Sequence, residues 1–363
     1  MKINSRIICV NQFSILENGL LYLSITGEVF LNNKLIKSNV ETLAYIDSKK
    51  NFFFGEKGKL NTYCEDLNSS KLFDLEYISP FFNSMNESIY ICYEFKIEDF
   101  SSKIIKYNIL LKQKEKTIIN DSKLKILFSN NKYLVLFESG DENFNSITFY
   151  NHLTETTLWQ YAITGLGAEK VSKILGVFGQ TLVVVCGYSR FVEIPNGNKV
   201  NAKLEKIIGL YVNTGHLLFE TDQYEINGET HFLGSGLNTN WVFNDGETFV
   251  HAILDDYLSF DTQTGKITAL NIREMAQEKG INGLQSSSIE GNKIGFRAFD
   301  DQLGGFQSVI GIFNTQSLKI EDHYTYADAR KEGAYFKPGQ PIVSGNKIYA
   351  LDSKNTLHIY ERE

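Results

Sequence analysis

Residues 257–270, YLSFDTQTGKITAL, constrain the fold of this chain more than any other stretch. Tyr257, Ser259 and Asp261 alternate with Leu258 and Phe260. Thr264 and Gly265 then close a tight turn, and Ile267 and Ala269 alternate with polar neighbours on the way back. Period-two alternation on both sides of a Thr-Gly turn predicts a β-hairpin.

Hairpins of the same kind recur at residues 28–38, 61–77, 103–119, 146–161, 207–221 and 309–324. Their turns are read at Asn32-Asn33, at Asn68 to Ser70, near Gln113 and at Thr214-Gly215. Two further strands precede most of them: 124–128 and 132–137, 172–178 and 181–187, 286–292 and 293–299. Each group then makes an antiparallel meander of strands a, b, c and d. The turn-to-turn spacing, roughly 35 to 60 residues, suits four-stranded propeller blades. The expected fold is therefore all-β: a single β-propeller over residues 1–363, with blades of about 45 residues. The chain ends after strands a, b and c, and residues 1–10 can supply the missing strand d. A blade shared between the termini would lock the ring and remove an exposed edge. Seven complete groups and one shared group make eight blades, or seven if the abbreviated unit at 11–38 is not one. A β-solenoid or two β-sandwiches fit the four-strand period less well.

Composition agrees with this and excludes several classes. The 26 Phe and 19 Tyr suit pleated surfaces, and 4 Pro rule out Pro-rich linkers. The longest apolar run, TLVVVC at 181–186, has the length of one buried strand and not of a membrane span. The amino terminus lacks an apolar signal core, so a cytoplasmic protein is expected. Cys9, Cys64, Cys92 and Cys186 form no CxxC and read as free, small core residues. A net charge of −7 argues against a nucleic-acid grip and is compatible with a basic protein partner.

The segments YLSFDTQTGKITAL, KIYALDSKNTLHIY and SITFYNHLTETTLW resemble the repeats of quinoprotein-like (PQQ-like, WD40-like) β-propellers. In those repeats a strand ending in Asp leads through a Thr-Gly turn to a strand that often ends in Trp. Asp261, Thr264 and Gly265 match, as do Asn213, Thr214 and Gly215, and Trp159 stands at the terminal Trp. The resemblance implies a fold; a function has to be argued from a site.

Chemistry-bearing motifs are missing. The quinone enzymes of that family use adjacent cysteines, a metal and an acidic residue, and none has a counterpart here, so no cofactor is implied. The six His are scattered without HExxH or HxH. Residues 141–143 lack the ligand pattern of a calcium loop. Gly165-Leu166-Gly167 begins like a dinucleotide fingerprint, but Lys170 replaces its third Gly and no βαβ unit surrounds it. GxSxG is absent.

The loops between repeats hold the remaining signal. On these strand labels, long b–c loops fall at 94–102, 138–146, 188–203 and 300–307, and long d–a loops at 162–170, 222–230, 271–284 and 324–340. All emerge on one face, and loops on a rigid scaffold are where function concentrates. Three b–c loops pair acids with Phe: Glu98, Asp99 and Phe100; Asp141, Glu142 and Phe144; Asp300, Asp301 and Phe306. Loop 188–203 adds Arg190 and Phe191. Together they read as an acidic, aromatic rim for a partner offering Lys or Arg and apolar anchors. The competing reading is that the acids keep the loops soluble while the Phe side chains pack back on the blades. Residues 271–280 predict a short helix capped by Asn271 and ended by Gly280. Tyr326, Arg330, Lys331 and Tyr335 either line a small-molecule pocket at the channel mouth or pack the last crossing. The leading expectation is a non-enzymatic scaffold binding another protein, such as a bacterial immunity or regulatory protein, with no nucleic-acid or membrane partner. The alternative is an enzyme or carbohydrate binder with its site at the top of the channel.

Overall fold

Alternating apolar and polar residues make a ribbon with one face to bury, and short turns let neighbouring ribbons pair antiparallel with little intervening chain. The computed structural model describes residues 2–362 except 17–18, 41, 47–50, 57–58, 65–68, 73–77, 85–88, 97–100, 109–112, 120–123, 131, 139–145, 194–198, 235–239, 245, 254–255 and 303–306. Side chains are described over 5–40 and 126–362 with the same gaps and without 138 and 192–199. Between 41 and 125 they are described at Leu43, Ile104, Lys106 and Thr117.

Strands dominate, and seven of the nine sheets among the described residues are four-stranded and antiparallel. Taken along the chain, the first sheet pairs Val10–Leu16, Gly19–Ser24, Val29–Leu31 and Lys34–Lys37. Its last turn is Asn32-Asn33, with φ of 48° and 65°. Two left-handed residues in a two-residue turn match the twist of a hairpin, and Asn tolerates them. Residues 11–38 therefore fold as a full sheet. The second runs from Thr42–Ile46 to Ser69–Leu72, the third from Ile78–Ser84 to Gln113–Ile119, and the fourth from Leu124–Ser129 to Thr156–Ala162. The fifth comprises Lys170–Phe178, Thr181–Glu193, Lys199–Tyr211 and Leu217–Thr221. The seventh comprises Ile281–Glu290, Lys293–Asp300, Val309–Asn314 and Lys319–Thr325. The eighth joins Ile342–Ser344, Lys347–Leu351 and Leu357–Glu361 to the first strand of the chain, Lys2–Ile7, in the register Ile7 to Leu357.

The sixth sheet departs from the four-strand expectation. It has three strands, Phe249–Ile253, Asp256–Asp261 and Ile267–Asn271, and its strand a is reduced to a bridge between Val242 and His251. Asn240, Asn244 and Gly246 around that bridge are poor strand formers, yet Trp241 and Val242 stay buried.

Two predicted loops are strands. Residues 188–193 and 199–203 extend the two middle strands of the fifth sheet, which each run for 13 residues. The alternation of Tyr188, Arg190 and Val192 continues the pleat past the blade, and period two does not say where a sheet stops. Residues 222–230 contain most of a separate hairpin, Gln223–Ile226 with Glu229–Phe232, turning at Asn227-Gly228. Cys186 is buried as expected, and burial pushes its thiol up to about 12. Cys9 is exposed, because a turn with φ of 63° places it between two strands. Cys64 and Cys92 have side chains outside the described residues.

The chain divides into two compact units, Val10–Leu166 with Asn213–Gly215, and Met1–Cys9 with Gly167–Val212 and His216–Glu363. In the second unit the core is layered between consecutive sheets. Phe178, Val183 and Val185 meet Val250, Leu258 and Phe260; Ile253 and Tyr257 meet Ile294, Phe296 and Phe313; Ile310 and Ile312 meet Ile348, Ala350 and Tyr360. In the first unit, Trp159 stacks on Phe149 at 4.7 Å and lies against Gly215, where a Cβ would come within 2.6 Å of the indole.

Candidate docking pocket at helix α1

The strand Ile267–Asn271 runs directly into a helical turn, α1, Arg273–Gln277. Asn271 has two roles: its Oδ1 accepts the Arg273 N–H at 3.1 Å, and its Nδ2 donates to Asp256 Oδ1 at 3.0 Å. Gly280, at φ 68°, ends the segment, and its carbonyl accepts the Asp301 N–H at 3.0 Å. The predicted helix is therefore present but shorter than residues 271–280.

Ile272 and Ala276 lie four residues apart on one helical face and are buried at 1% and 3% exposure. They meet Ile281 and Leu284 of the following strand in the core between the sixth and seventh sheets. Arg273, Gln277 and Asn282 stand around this apolar floor and leave a pocket of about 70 Å3. That volume exceeds the ~10–15 Å3 that holds one water and is about half a benzene-holding cavity, so it suits the tip of a single small aliphatic side chain.

Acids gather beside it. Asp300 is the register partner of Ile281, and Asn282 Nδ2 donates to Asp301 Oδ1. Asp300 Oδ1 also accepts the Gln302 N–H at 2.8 Å, so the turn holds its own carboxylates in place. Glu274 and Glu278 are exposed on the helical segment. Against these four acids stand Arg273 and Lys279, an excess of two negative charges. The nearby His323 is held below the ordinary imidazole range, chiefly by burial and then by Lys279. No nucleophile–base pair is among these residues. An apolar hollow with a polar, acidic edge is equipped for binding.

The remaining sequence-predicted residues fall elsewhere. Glu98, Asp99, Phe100, Asp141, Glu142, Phe144 and Phe306 lie outside the described residues. Arg190 and Phe191 are on the strand Thr181–Glu193; the Arg190 guanidinium lies 5.0 Å over the Phe232 ring, and Phe191 is 69% exposed. Tyr326 follows the strand Lys319–Thr325. It is buried at 3% exposure, and its hydroxyl donates to Glu332. Arg330 and Lys331 are exposed on a second helical turn, α2, Ala329–Glu332, and Tyr335 is 44% exposed beyond it. Among the described residues no group of three or more His, Cys, Asp or Glu is placed to hold a metal. Nor is any helix among them long and apolar enough to cross a membrane.

Sequence reasoning placed the helix and the two aspartates but missed the hollow. Ile281 and Leu284 fall at the end of the loop that the sequence predicts over 271–284, whereas they open a ten-residue strand. Their spacing after Ile272 and Ala276 was the available signal.

No family model matches the chain, and no curated protein matches it. Solved structures do. The chain is 12% identical to the computationally designed Ika8 protein, covering 98% of this chain and 96% of that one at a TM-score of 0.55. It is 11% identical to the WD40-type Sqt1 of Chaetomium thermophilum, solved bound to the N-terminus of the ribosomal protein L10, covering 96% and 91% at a TM-score of 0.51. A lower-scoring match, at 0.47 and 10% identity over 99% and 93%, is the beta-propeller domain of the Trilobed protease from Pyrococcus furiosus. At such identities the likeness shows the fold alone, which is propeller-like and WD40-like.

Proposed function

We propose that this protein is a non-enzymatic, propeller-like scaffold that docks another protein at the α1 pocket. The carrying observation is the pairing of an apolar hollow, floored by Ile272, Ala276, Ile281 and Leu284, with the acidic edge of Asp300 and Asp301. A partner segment that fits places a small aliphatic side chain in the hollow and a Lys or Arg beside it. The apolar contact supplies the anchor, and the charges supply encounter rate and register. Sqt1 is a precedent for a protein of this fold class holding the terminal segment of another protein. Glu98, Asp99, Phe100, Asp141, Glu142, Phe144 and Phe306 belong to the same proposal as further rim residues. The architecture it carries is one eight-bladed ring over the whole chain, with Lys2–Ile7 as its closing strand.

The test is affinity capture from the native host, followed by titration of the recovered partner against variants. Asp300→Asn with Asp301→Asn removes charge from the edge, and Gln277→Trp roofs the hollow from an exposed position. Each is expected to weaken binding about tenfold, with the aspartate pair also lowering the salt dependence. A stable partner that binds both variants as tightly as the unaltered protein sinks the proposal.

A further inference from the structure

The helical turn α1 has five residues, too few to hold a helix in water, so its angle over the pocket has to come from its contacts. Burial of Ile272 and Ala276 beneath it supplies one of them. Its start lacks the usual device. The N-cap residue is Ile272, an apolar side chain that makes no capping bond. The capping acceptor stands one residue earlier, where Asn271 Oδ1 takes the Arg273 N–H. Arg273 lines the pocket.

Asn271 is the last residue of its strand, in register with Asp256, the first residue of the strand Asp256–Asp261. Past this pair the backbone ladder ends, and side chains carry the hold onwards. Asp256 gives one carboxylate oxygen to each of two neighbours. Oδ1 accepts Asn271 Nδ2 at 3.0 Å, and Oδ2 accepts the Tyr224 hydroxyl at 3.2 Å. Hydrogen bonds to a carboxylate are the stronger kind. Tyr224 lies on the added hairpin of Gln223–Ile226 with Glu229–Phe232, where its ring stacks on His231 at 5.5 Å. The same ring packs against the core that holds Leu233, Trp241 and Leu258. Three bonds therefore run in series from a packed phenol to the first turn of α1: Tyr224 to Asp256, Asn271 to Asp256, and the Arg273 N–H to Asn271.

We infer that Asp256 is a positioning residue of the α1 pocket: it ties the start of α1 to the hairpin and so sets Arg273 and the helical turn over Ile281 and Leu284. The inference rests on the reading of α1 as a docking pocket. Asp256 is not among the residues that line the hollow, and it acts through Asn271.

The test uses two probes of one shape, isobutylammonium and the neutral isobutanol. Each is titrated into the full chain and followed through the methyl resonances of Ile272, Ala276, Ile281 and Leu284. In the unaltered protein both are expected to give saturable shifts. Asp256→Ala and Asn271→Ala should then weaken both probes about fivefold, and Tyr224→Phe, which removes a single hydroxyl, about twofold. Equal loss for the charged and the neutral probe supports positioning. Loss confined to isobutylammonium overturns it, because Asp256 would then act as a charge on the ligand, and unchanged binding in Asp256→Ala overturns it too. Should Asp256→Ala fail to fold, the same comparison is made with Tyr224→Phe, where unchanged binding breaks the series at its first bond and overturns the inference. No shift with either probe in the unaltered protein removes the pocket reading itself, and this inference with it.

Discussion

The strand Ile267–Asn271 has two ends, and they are built differently. At one end is the turn 261–266. The Asp261 carboxylate accepts the N–H groups of Gln263 and Thr264 at 2.8 and 3.2 Å, and the Gly265 N–H bonds the Asp261 carbonyl at 2.9 Å. The preceding sheet grips this turn: Thr221 Oγ1 donates to the Gly265 carbonyl at 2.7 Å, and Gln263 Nε2 donates to the Phe178 carbonyl at 2.9 Å. At the other end is α1, with buried Ile272 and Ala276 below and exposed Arg273, Glu274 and Gln277 above. The first end spends its polar groups within the protein and stacks one sheet on the next. The second presents them outward. The repeated turns belong to the architecture, and the irregular ends are free to carry recognition.

Four measurements press on that difference. The largest effect is expected from Gly265→Ala. Gly265 has φ of 73°, and a Cβ there would stand 2.5 Å from Phe219 Cγ, next to its own Cβ and unable to swing away. Overpacking plus left-handed strain predicts a loss of about 3 kcal/mol in denaturant unfolding. A loss below about 1 kcal/mol would mean that the turn is not a fixed stacking element.

Acidification comes next. Burial holds His251 below the ordinary imidazole range, so unfolding takes up a proton that the folded chain resists. The stability is present in full above about pH 6.5 and is lost as pH falls from there towards the folded-state value, at no more than about 1.4 kcal/mol per pH unit from one histidine. His323 shifts in the same direction on the α1 side. Thermal melts from pH 7.5 to 5 should fall, and His251→Asn should flatten part of the slope; an unchanged slope in that variant would remove the buried imidazole as its cause.

Thr221→Val should cost about 1 kcal/mol, the usual net worth of one hydrogen bond, since it deletes the donor to Gly265 and nearly keeps the shape. Asp301→Asn is expected to change stability by less than about 0.5 kcal/mol, because the residue is exposed. A large loss there would show that the acidic edge is structural, and the contrast between the two ends would collapse.

Particular elements show how far the sequence could be read. Alternation and turn residues marked the hairpin at 257–270, the Asn32-Asn33 turn and the strands at 124–128, 132–137 and 293–299, each to within about one residue of where the sheets have it, whereas the strand expected at 286–292 begins earlier, at Ile281. The same alternation misled at 188–203, where a long b–c loop is expected and the two middle strands of the fifth sheet instead run on. Local pattern reports which residues can pleat, and it is silent on where a neighbour stops pairing. The reduced strand at Val242 failed for the opposite reason: its surroundings look like a loop, and burial of Trp241 and Val242 holds the bridge.

The sequence by itself determined the class of fold, the four-strand period and the helical turn at α1, because hydrophobic period, turn chemistry and capping residues are local properties. Tertiary structure alone decided the rest. It placed Ile281 and Leu284 under α1 to make a hollow, turned Tyr326 inward, and brought the Tyr224 hydroxyl to Asp256. Each of these depends on which distant residues share a neighbourhood, and residues 272 and 281, or 224 and 256, are brought together only when the sheets pair and stack.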